Sequence, residues 1–354
     1  MSVDITHIWN EYDLGGLEQK LSSLFPDKQF HLEDMFSKIL SGDIMGGISY
    51  GIQSFFSDIA AEFHSIREIF VWIMLLGIAA ALIAHFIEIF DNHQIADIGF
   101  YFTYLLMSVI LMKCFASSLA VAVGAIQNIV DFTQIFIPVY FLSVGVATGA
   151  VTAVASYQIV ILLIYVIENV LLTMVLPLIN SYVLLALING IWIEERLTLL
   201  VEGMEKVIRF LLKASLGVIT GLSLLQSMIT PAIDSVKATT LQKAVAAIPG
   251  IGDAADGIVE VVLGSAVVIK NSIGLVMLIL LLVIAAVPLL KILVMAFLLK
   301  AAAAFLGVVS DKRITMCTDK VGCGGQLLFK TAGTSLLLFM ITVSIAAYTT
   351  NRGF

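Results

Sequence analysis

The residues that could do chemistry in this chain are ionisable and amide side chains inside apolar stretches. Glu168 and Asn169 lie about halfway along the apolar run 158–189. An ionisable side chain at membrane depth is costly and needs a reason. The two residues either line a water-filled path or form hydrogen bonds with a neighbouring helix.

A second set of polar residues lies in the C-terminal third. Lys291 follows Pro288 in another long apolar run, and it either joins the same path or extends its amine to the membrane surface. Lys270 and Asn271 precede that run. Together with Glu168 and Asn169, these three residues are the candidate polar path.

No pattern typical of an enzyme or a metal centre is found. The Gly-rich segment 250–253 follows Pro249 rather than a strand, and it lacks the Lys of a phosphate-binding loop. Cys114 lies in an apolar run, and Cys317 and Cys323, which we expect in a late loop, match no zinc or redox spacing. We therefore expect a protein that is not an enzyme, with no catalytic residue, no metal and no cofactor.

The composition requires a lipid environment. Of the 354 residues, 60% are hydrophobic and 13% are charged, and the mean hydropathy is +1.05. One soluble core could not bury so much apolar surface, so the bilayer is the first expected partner. The 19 Lys and Arg residues are scattered and the net charge is -7, which argues against nucleic acid as a partner.

The apolar runs predict an all-α polytopic membrane protein. About 20 residues cross a hydrocarbon core of roughly 30 Å. Seven runs reach this length, at 69–90, 99–123, 135–155, 158–189, 208–229, 272–304 and 331–348. The segment 197–211 has the pattern of an interfacial amphipathic helix, and 257–271 is typical of a re-entrant or interfacial helix.

The N-terminal region 1–67 has a different composition, since charged residues alternate with short apolar groups. We expect it to lie outside the membrane as amphipathic helices. One apolar stripe at helical spacing could contact a membrane, a partner or the protein's own membrane domain. The stripe consists of Ile48, Ile52, Phe55, Ile59 and Phe63.

The prolines indicate an internal repeat. Pro138 and Pro249 are 111 residues apart, as are Pro177 and Pro288. After two leading spans in 68–134, the repeat units would be 135–245 and 246–354, each broken at its prolines. Prolines at matching positions in two halves point to a polar path between them.

Two pairs of glycines at i,i+4 spacing permit close helix packing. The pairs are Gly145 with Gly149 and Gly217 with Gly221.

Several segments resemble the stage III sporulation protein AE family of endospore-forming bacteria. They are Ile137-Pro138 with 147–158, the element 175–179, the stretch 248–254, the segment 264–274 with its Lys-Asn-x-x-Gly element, and Pro288-Leu289-Leu290-Lys291-Ile292. The resemblance covers roughly residues 130–330.

The resemblance implies a membrane subunit of the channel, or secretion-like complex, that connects mother cell and forespore. Its partners would be other stage III sporulation A proteins and further copies of the chain. It also implies a multi-pass protein of the mother-cell membrane that faces the forespore, with residues 1–67 outside the cytoplasm. Two alternatives stay open: an ion- or solute-coupled transporter and a scaffold that assembles partners.

The loop charges conflict with that orientation. If the N-terminus is outside and seven spans follow, one group of basic residues lies outside and a smaller group lies inside, against the positive-inside rule. The outer group is Arg196, Lys206, Lys312, Arg313 and Lys320, and the inner group is Lys237, Lys243 and Lys270. The conflict becomes smaller if 257–271 crosses the membrane.

Overall fold

The fold is given by a computed structural model. It describes residues 14–24, 33, 37–39, 71, 75, 78, 82, 93–148, 151–192, 196–246, 252–309 and 311–350. The helices are α1 (Leu14–Leu24), α2 (His93–Thr148), α3 (Val151–Val170), α4 (Leu176–Asn189), α5 (Thr198–Ala246), α6 (Gly252–Val309) and α7 (Lys312–Thr350). A π-helical turn, Leu171–Val175, joins α3 to α4. The predicted all-α class is confirmed for this described part.

Four segments of the described chain are long and apolar enough to cross a membrane. They are Ile98–Val144, Ile159–Asn189, Val267–Val308 and Lys312–Ala347. The chain is therefore a multi-pass membrane protein, but the predicted count of seven spans is not reached among the described residues. The run 208–229 lies inside α5, and most of 69–90 lies outside the described residues.

The largest difference from the sequence prediction is in α2. The runs 99–123 and 135–155 were expected as two spans, but residues 93–148 form one helix of 56 residues, with Pro138 inside it. The residues between the two runs keep a helical spacing of buried apolar side chains. These are Ala125, Ile126, Ile129, Phe132 and Phe136.

The long proline-containing runs are also helical. The run 158–189 contains the π-helical turn, where the Leu176 N–H donates to the Leu171 carbonyl. Pro177, the second residue of α4, follows this turn directly. Pro288 lies inside α6, and the segment 257–271 continues into 272–304 as one helix rather than ending as a separate re-entrant element.

Cross-helix contacts give the directions of the helices. Near the start of α2, Tyr104 donates a hydrogen bond of 2.6 Å to the Leu187 carbonyl at the end of α4. Near its other end, the Tyr140 hydroxyl lies 3.5 Å from the Val343 carbonyl of α7, and its ring packs against Gly274 of α6. Thus α2 is parallel to α7 and antiparallel to α4 and α6.

The connections α4–α5 and α6–α7 consequently lie at the same end of the bundle as the start of α2. We call this the turn end; its described residues are 190–192, 196–197 and 311–313. Helix α7 is central, because it contacts α2, α3, α4, α5 and α6.

Glycines on α7 allow its close packing. A Cβ at Gly325 would lie 2.9 Å from the Ala296 Cβ, and one at Gly322 would lie 3.1 Å from the Lys300 Cγ. A Cβ at Gly324 would clash with Val183.

The glycines singled out in the sequence have other surroundings. Gly217 and Gly221 are exposed, and a Cβ at either would have no neighbour within 4 Å in the described structure. Gly149 lies outside the described residues, as do Pro249 and the 48–63 stripe; Gly145 belongs to α2. The 111-residue repeat stays a prediction.

Candidate functional site

Glu168 is the most enclosed acidic side chain of the described bundle. It lies on the inner face of α3, three residues before the π-helical turn, and is 1% exposed. The fully buried Ser335 of α7 faces it. Both carboxyl oxygens of Glu168 and the Ser335 hydroxyl lack a hydrogen-bond partner within 3.5 Å in the described structure. The carboxyl therefore lies in an apolar site with one adjacent hydroxyl.

The other residues of the candidate polar path do not join Glu168. Asn169, next to it, has its side chain on the exposed face of α3. Lys270 is fully buried near the start of the apolar part of α6, and Asn271 is half-buried beside it.

Lys291 lies 21 residues after Lys270, which is about 32 Å along a helix. It is half-buried. The structure therefore places the five residues in separate positions along the bundle.

A second polar group, which sequence reasoning missed, joins α6 to α7. The Lys300 Nζ lies 2.7 Å from the Asp319 Oδ1 and 2.9 Å from the Cys323 Sγ. Asp319 and Cys323 are one helical turn apart on α7, so Cys317 and Cys323 do not lie in the predicted loop. The signal in the sequence was the i,i+4 pair of Asp319 and Cys323, but its partner Lys300 depends on how the hairpin pairs.

Two further helices bring polar groups towards this cluster. The buried Tyr182 hydroxyl of α4 lies near Cys323, Asp319 and Glu205, without a hydrogen-bond partner in the described structure. Glu205 on α5 forms a 2.6 Å ion pair with Arg209, one helical turn further along. Among the described residues, no three His, Cys, Asp or Glu side chains converge to hold a metal.

The exposed surface of α2 carries a polar stripe that sequence reasoning also missed. Its first part, 98–109, exposes large apolar side chains such as Phe102, Leu105 and Val109. Between 113 and 138 the exposed residues are only polar, small or proline. They are Lys113, Ala116, Ser117, Ala120, Gln127, Asp131, Gln134 and Pro138. We call this set the α2 stripe.

The α2 stripe lies at the height of the apolar helices around it. Phe115 of α2 packs against Gly324 of α7, and Tyr140 packs against Gly274 of α6. Between these two heights, the exposed residues of α6 are all apolar, such as Leu282, Leu293 and Phe297. From Lys113 to Gln134 the stripe is about 32 Å long, which matches a hydrocarbon core of roughly 30 Å.

The polar residues at 127–134 had been interpreted as a connector between two spans, because they lower the local hydropathy. The signal that could have found the α2 stripe is its spacing of alternating four and three residues, as in Lys113, Ser117, Ala120, Gly124 and Gln127. That spacing keeps residues on one face of a helix.

The fold and these side chains define a class: a multi-pass helical membrane protein with ionisable groups both inside the bundle and on one outer face. The model of the family described as stage III sporulation protein AE matches residues 30–350. The chain therefore belongs to this family, as the sequence resemblance predicted. It has no match among curated proteins or among solved structures.

Proposed function

We propose that the chain is the membrane-embedded, non-enzymatic subunit of a channel or secretion-like complex that connects mother cell and forespore. Several copies would surround a shared aqueous path, with the α2 stripe of each copy facing that path. Family membership supports the sporulation role, and the α2 stripe is the observation that supports a conduit.

The energetic argument is the cost of exposing polar side chains to lipid. A Lys or Asp at the bilayer centre costs roughly 2.5–3.5 kcal/mol on insertion scales. Lys113 and Asp131 lie near opposite ends of the α2 stripe, so each would incur part of this cost if α2 faced acyl chains, and Gln127 and Gln134 would lack hydrogen-bond partners there. Water in a path between copies would solvate all four. The apolar exposed face of α6 would then contact lipid.

The shared position of the basic loops supports an orientation. Arg196, Lys312 and Arg313 lie at the turn end, where Arg313 stacks 3.5 Å from the Phe100 ring centroid and Arg196 lies 5.4 Å from that of Trp192. Under the positive-inside rule the turn end is cytoplasmic.

The single helix α2 also removes the conflict in the sequence-based topology. With α2 as one crossing, a chain that starts outside and crosses at 69–90 begins α2 inside. After α3 and α4 the chain returns to the inside at Arg196. Lys237 and Lys243, far along α5, are then outside the membrane rather than inside, as they were in the seven-span topology. Residues 1–67 are then extracytoplasmic, where other stage III sporulation A proteins could contact them.

The test replaces polar residues of the α2 stripe by apolar ones in a sporulating host. Gln127→Leu combined with Asp131→Leu should make the path apolar and reduce spore yield strongly, while the protein stays at its normal level in the membrane. The matched control is Leu293→Ile on the exposed face of α6, which should leave spore yield unchanged. Normal spore yield in the double variant would contradict the proposal and favour a scaffold that only assembles partners.

One observation favours a second candidate, an ion- or solute-coupled transporter. Glu168 is enclosed within a single copy of the bundle, as coupling sites in transporters are. A transporter of this kind would work as a monomer. Cysteines introduced singly at Gln127 or Gln134 should form disulfide-linked dimers in membranes if copies meet around the α2 stripe. A protein that stays monomeric in this assay would favour the transporter.

A further inference from the structure

Glu168 is buried in a site that an ionised carboxylate could not occupy cheaply. On its own helix, Ile164, Ile167 and Leu171 are buried beside it. Removing a charge from water without a partner costs several kcal/mol, so such a group takes up a proton instead. A neutral carboxyl has an O–H that a small rotation could direct to the Ser335 hydroxyl.

The surroundings favour a proton over a metal cation. Hard cations need several converging oxygen ligands. Ser335 is the one polar side chain of the described residues that interacts with the Glu168 carboxyl. Thr331, one helical turn before Ser335 on α7, already donates its hydroxyl hydrogen to the Leu327 carbonyl, at 2.8 Å. A carboxyl with one hydroxyl can hold a proton but offers too few oxygens for Na⁺.

No charged partner stabilises the ionised form. The helices packed against α3 are α2, α5 and α7. Their charged side chains in this part of the bundle are Asp131, Lys213 and Lys330, and all three are exposed rather than directed at the Glu168 site. No described side chain beside Glu168 therefore replaces the proton as a source of positive charge.

The helix next to the carboxyl has an irregular register. The π-helical turn Leu171–Val175 begins three residues after Glu168, and Pro177 follows it without an N–H to donate. The Thr173 hydroxyl donates to the Asn169 carbonyl at 2.7 Å within this region. Single π-turns are frequent at functional sites, because one extra residue in the turn lets the helix change register locally.

We propose that Glu168 and Ser335 form a proton-binding site in the membrane domain, coupled to the packing of the π-helical turn Leu171–Val175 against α7. In the packing seen here the carboxyl is protonated. Loss of the proton leaves a buried charge, which is relieved when the turn shifts and admits water. This activity goes beyond the proposed conduit, since it resides inside one copy and away from the α2 stripe.

The test uses dicyclohexylcarbodiimide, an apolar reagent that reacts with protonated carboxyls in apolar surroundings. The O–H adds across the carbodiimide, and the O-acylisourea rearranges to a stable N-acylurea that retains the whole reagent. The full-length protein in phosphatidylcholine–phosphatidylglycerol nanodiscs is treated near neutral pH, and modified residues are located by mass spectrometry. Glu168 should be labelled, and the label should be lost in Glu168→Gln. Glu205, which forms an ion pair with Arg209, is the internal control and should stay unlabelled.

Two outcomes would overturn the proposal. If Glu168 in folded protein stays unlabelled near neutral pH, the carboxyl is not protonated there. If an excess of Na⁺ protects Glu168 from the reagent while K⁺ and choline do not, the site binds a metal cation instead. Should Glu168→Gln fail to fold, the infrared C=O stretch of the wild-type protein decides: a protonated carboxyl that resists hydrogen–deuterium exchange supports the site, and its absence contradicts it.

Labelling of Glu168 does not depend on the α2 stripe. A failed spore-yield test with normal labelling would overturn the conduit alone, and the reverse result would overturn the proton site alone.

Discussion

Helices α2 and α6 are similar in length, at 56 and 58 residues, and both pack on the central helix α7, yet their outer faces differ. The exposed residues described on α6 are apolar from Val268 to Val308. On α2 the exposed face is apolar up to Val109, polar or small from Lys113 to Pro138, and apolar again at Leu142. This difference shows that average hydropathy identifies a membrane helix but does not tell which side of the helix faces lipid. That is indicated by the positions of the few polar residues.

The first prediction compares a new charge on each outer face and has the largest expected effect. Leu293→Lys on α6 should destabilise the protein by about 3 kcal/mol, because the ammonium would face acyl chains. Ala120→Lys on the α2 stripe should cost less than about 1 kcal/mol, because water would solvate it. The measurement is the free energy of unfolding in lipid bicelles under conditions where copies associate. Equal costs at the two positions would remove the distinction between the faces.

The second prediction concerns the inner faces of α2 and α6, where they pack on α7. Larger side chains at the α7 glycines should destabilise the protein equally at both contacts. Gly324→Val would press on Val183 of α4 and on Phe115 of α2, and Gly325→Val on Ala296 of α6. Overpacking of this kind typically costs about 1–3 kcal/mol. Gly221→Val is the matched control, since a Cβ there meets no neighbour within 4 Å in the described structure. Thermal unfolding of the three variants in detergent measures this, and a stable Gly324→Val would show that α7 does not pack as closely as described.

The third prediction has the smallest effect and concerns the one ion pair described between α6 and α7. Lys300 and Asp319 are separated by 2.7 Å, but their side chains are 29% and 43% exposed. A pair so accessible to solvent contributes less than about 1 kcal/mol. A double-mutant cycle of Lys300→Met and Asp319→Asn should give a coupling energy of that size. A coupling of several kcal/mol would mean that the pair is enclosed by other copies of the chain.

Much of the architecture could be predicted from the sequence, because apolar runs of membrane-crossing length are a strong local signal. The all-α class and the runs within α3–α4, α6 and α7 depend on spacing along one helix. The π-helical turn before Pro177 could not be predicted from the sequence. A proline indicates that helical hydrogen bonding is disrupted, but it does not determine how the helix adjusts.

What the sequence concealed depends on contacts between helices. Gln127, Asp131 and Gln134 lower the hydropathy of 124–134, which is typical of a loop between two spans. The buried apolar residues of the same segment nevertheless have helical spacing. Lys300 meets Asp319 and Cys323 only because α6 and α7 form a hairpin. The sequence singles out Glu168 as an ionisable group inside an apolar run, but its separation from Lys291 and Lys270 requires the folded chain.

The central claim is that the α2 stripe faces water and the outer face of α6 faces lipid. The most direct test is the reaction of single cysteines with a charged, membrane-impermeant methanethiosulfonate in a variant with Cys114, Cys317 and Cys323 replaced. Cysteines at Ser117, Gln127, Asp131 and Gln134 should react in intact membranes, while cysteines at Leu282, Leu293 and Phe297 should not. Equal reactivity of the two sets, or reaction of the α6 set alone, would contradict the account.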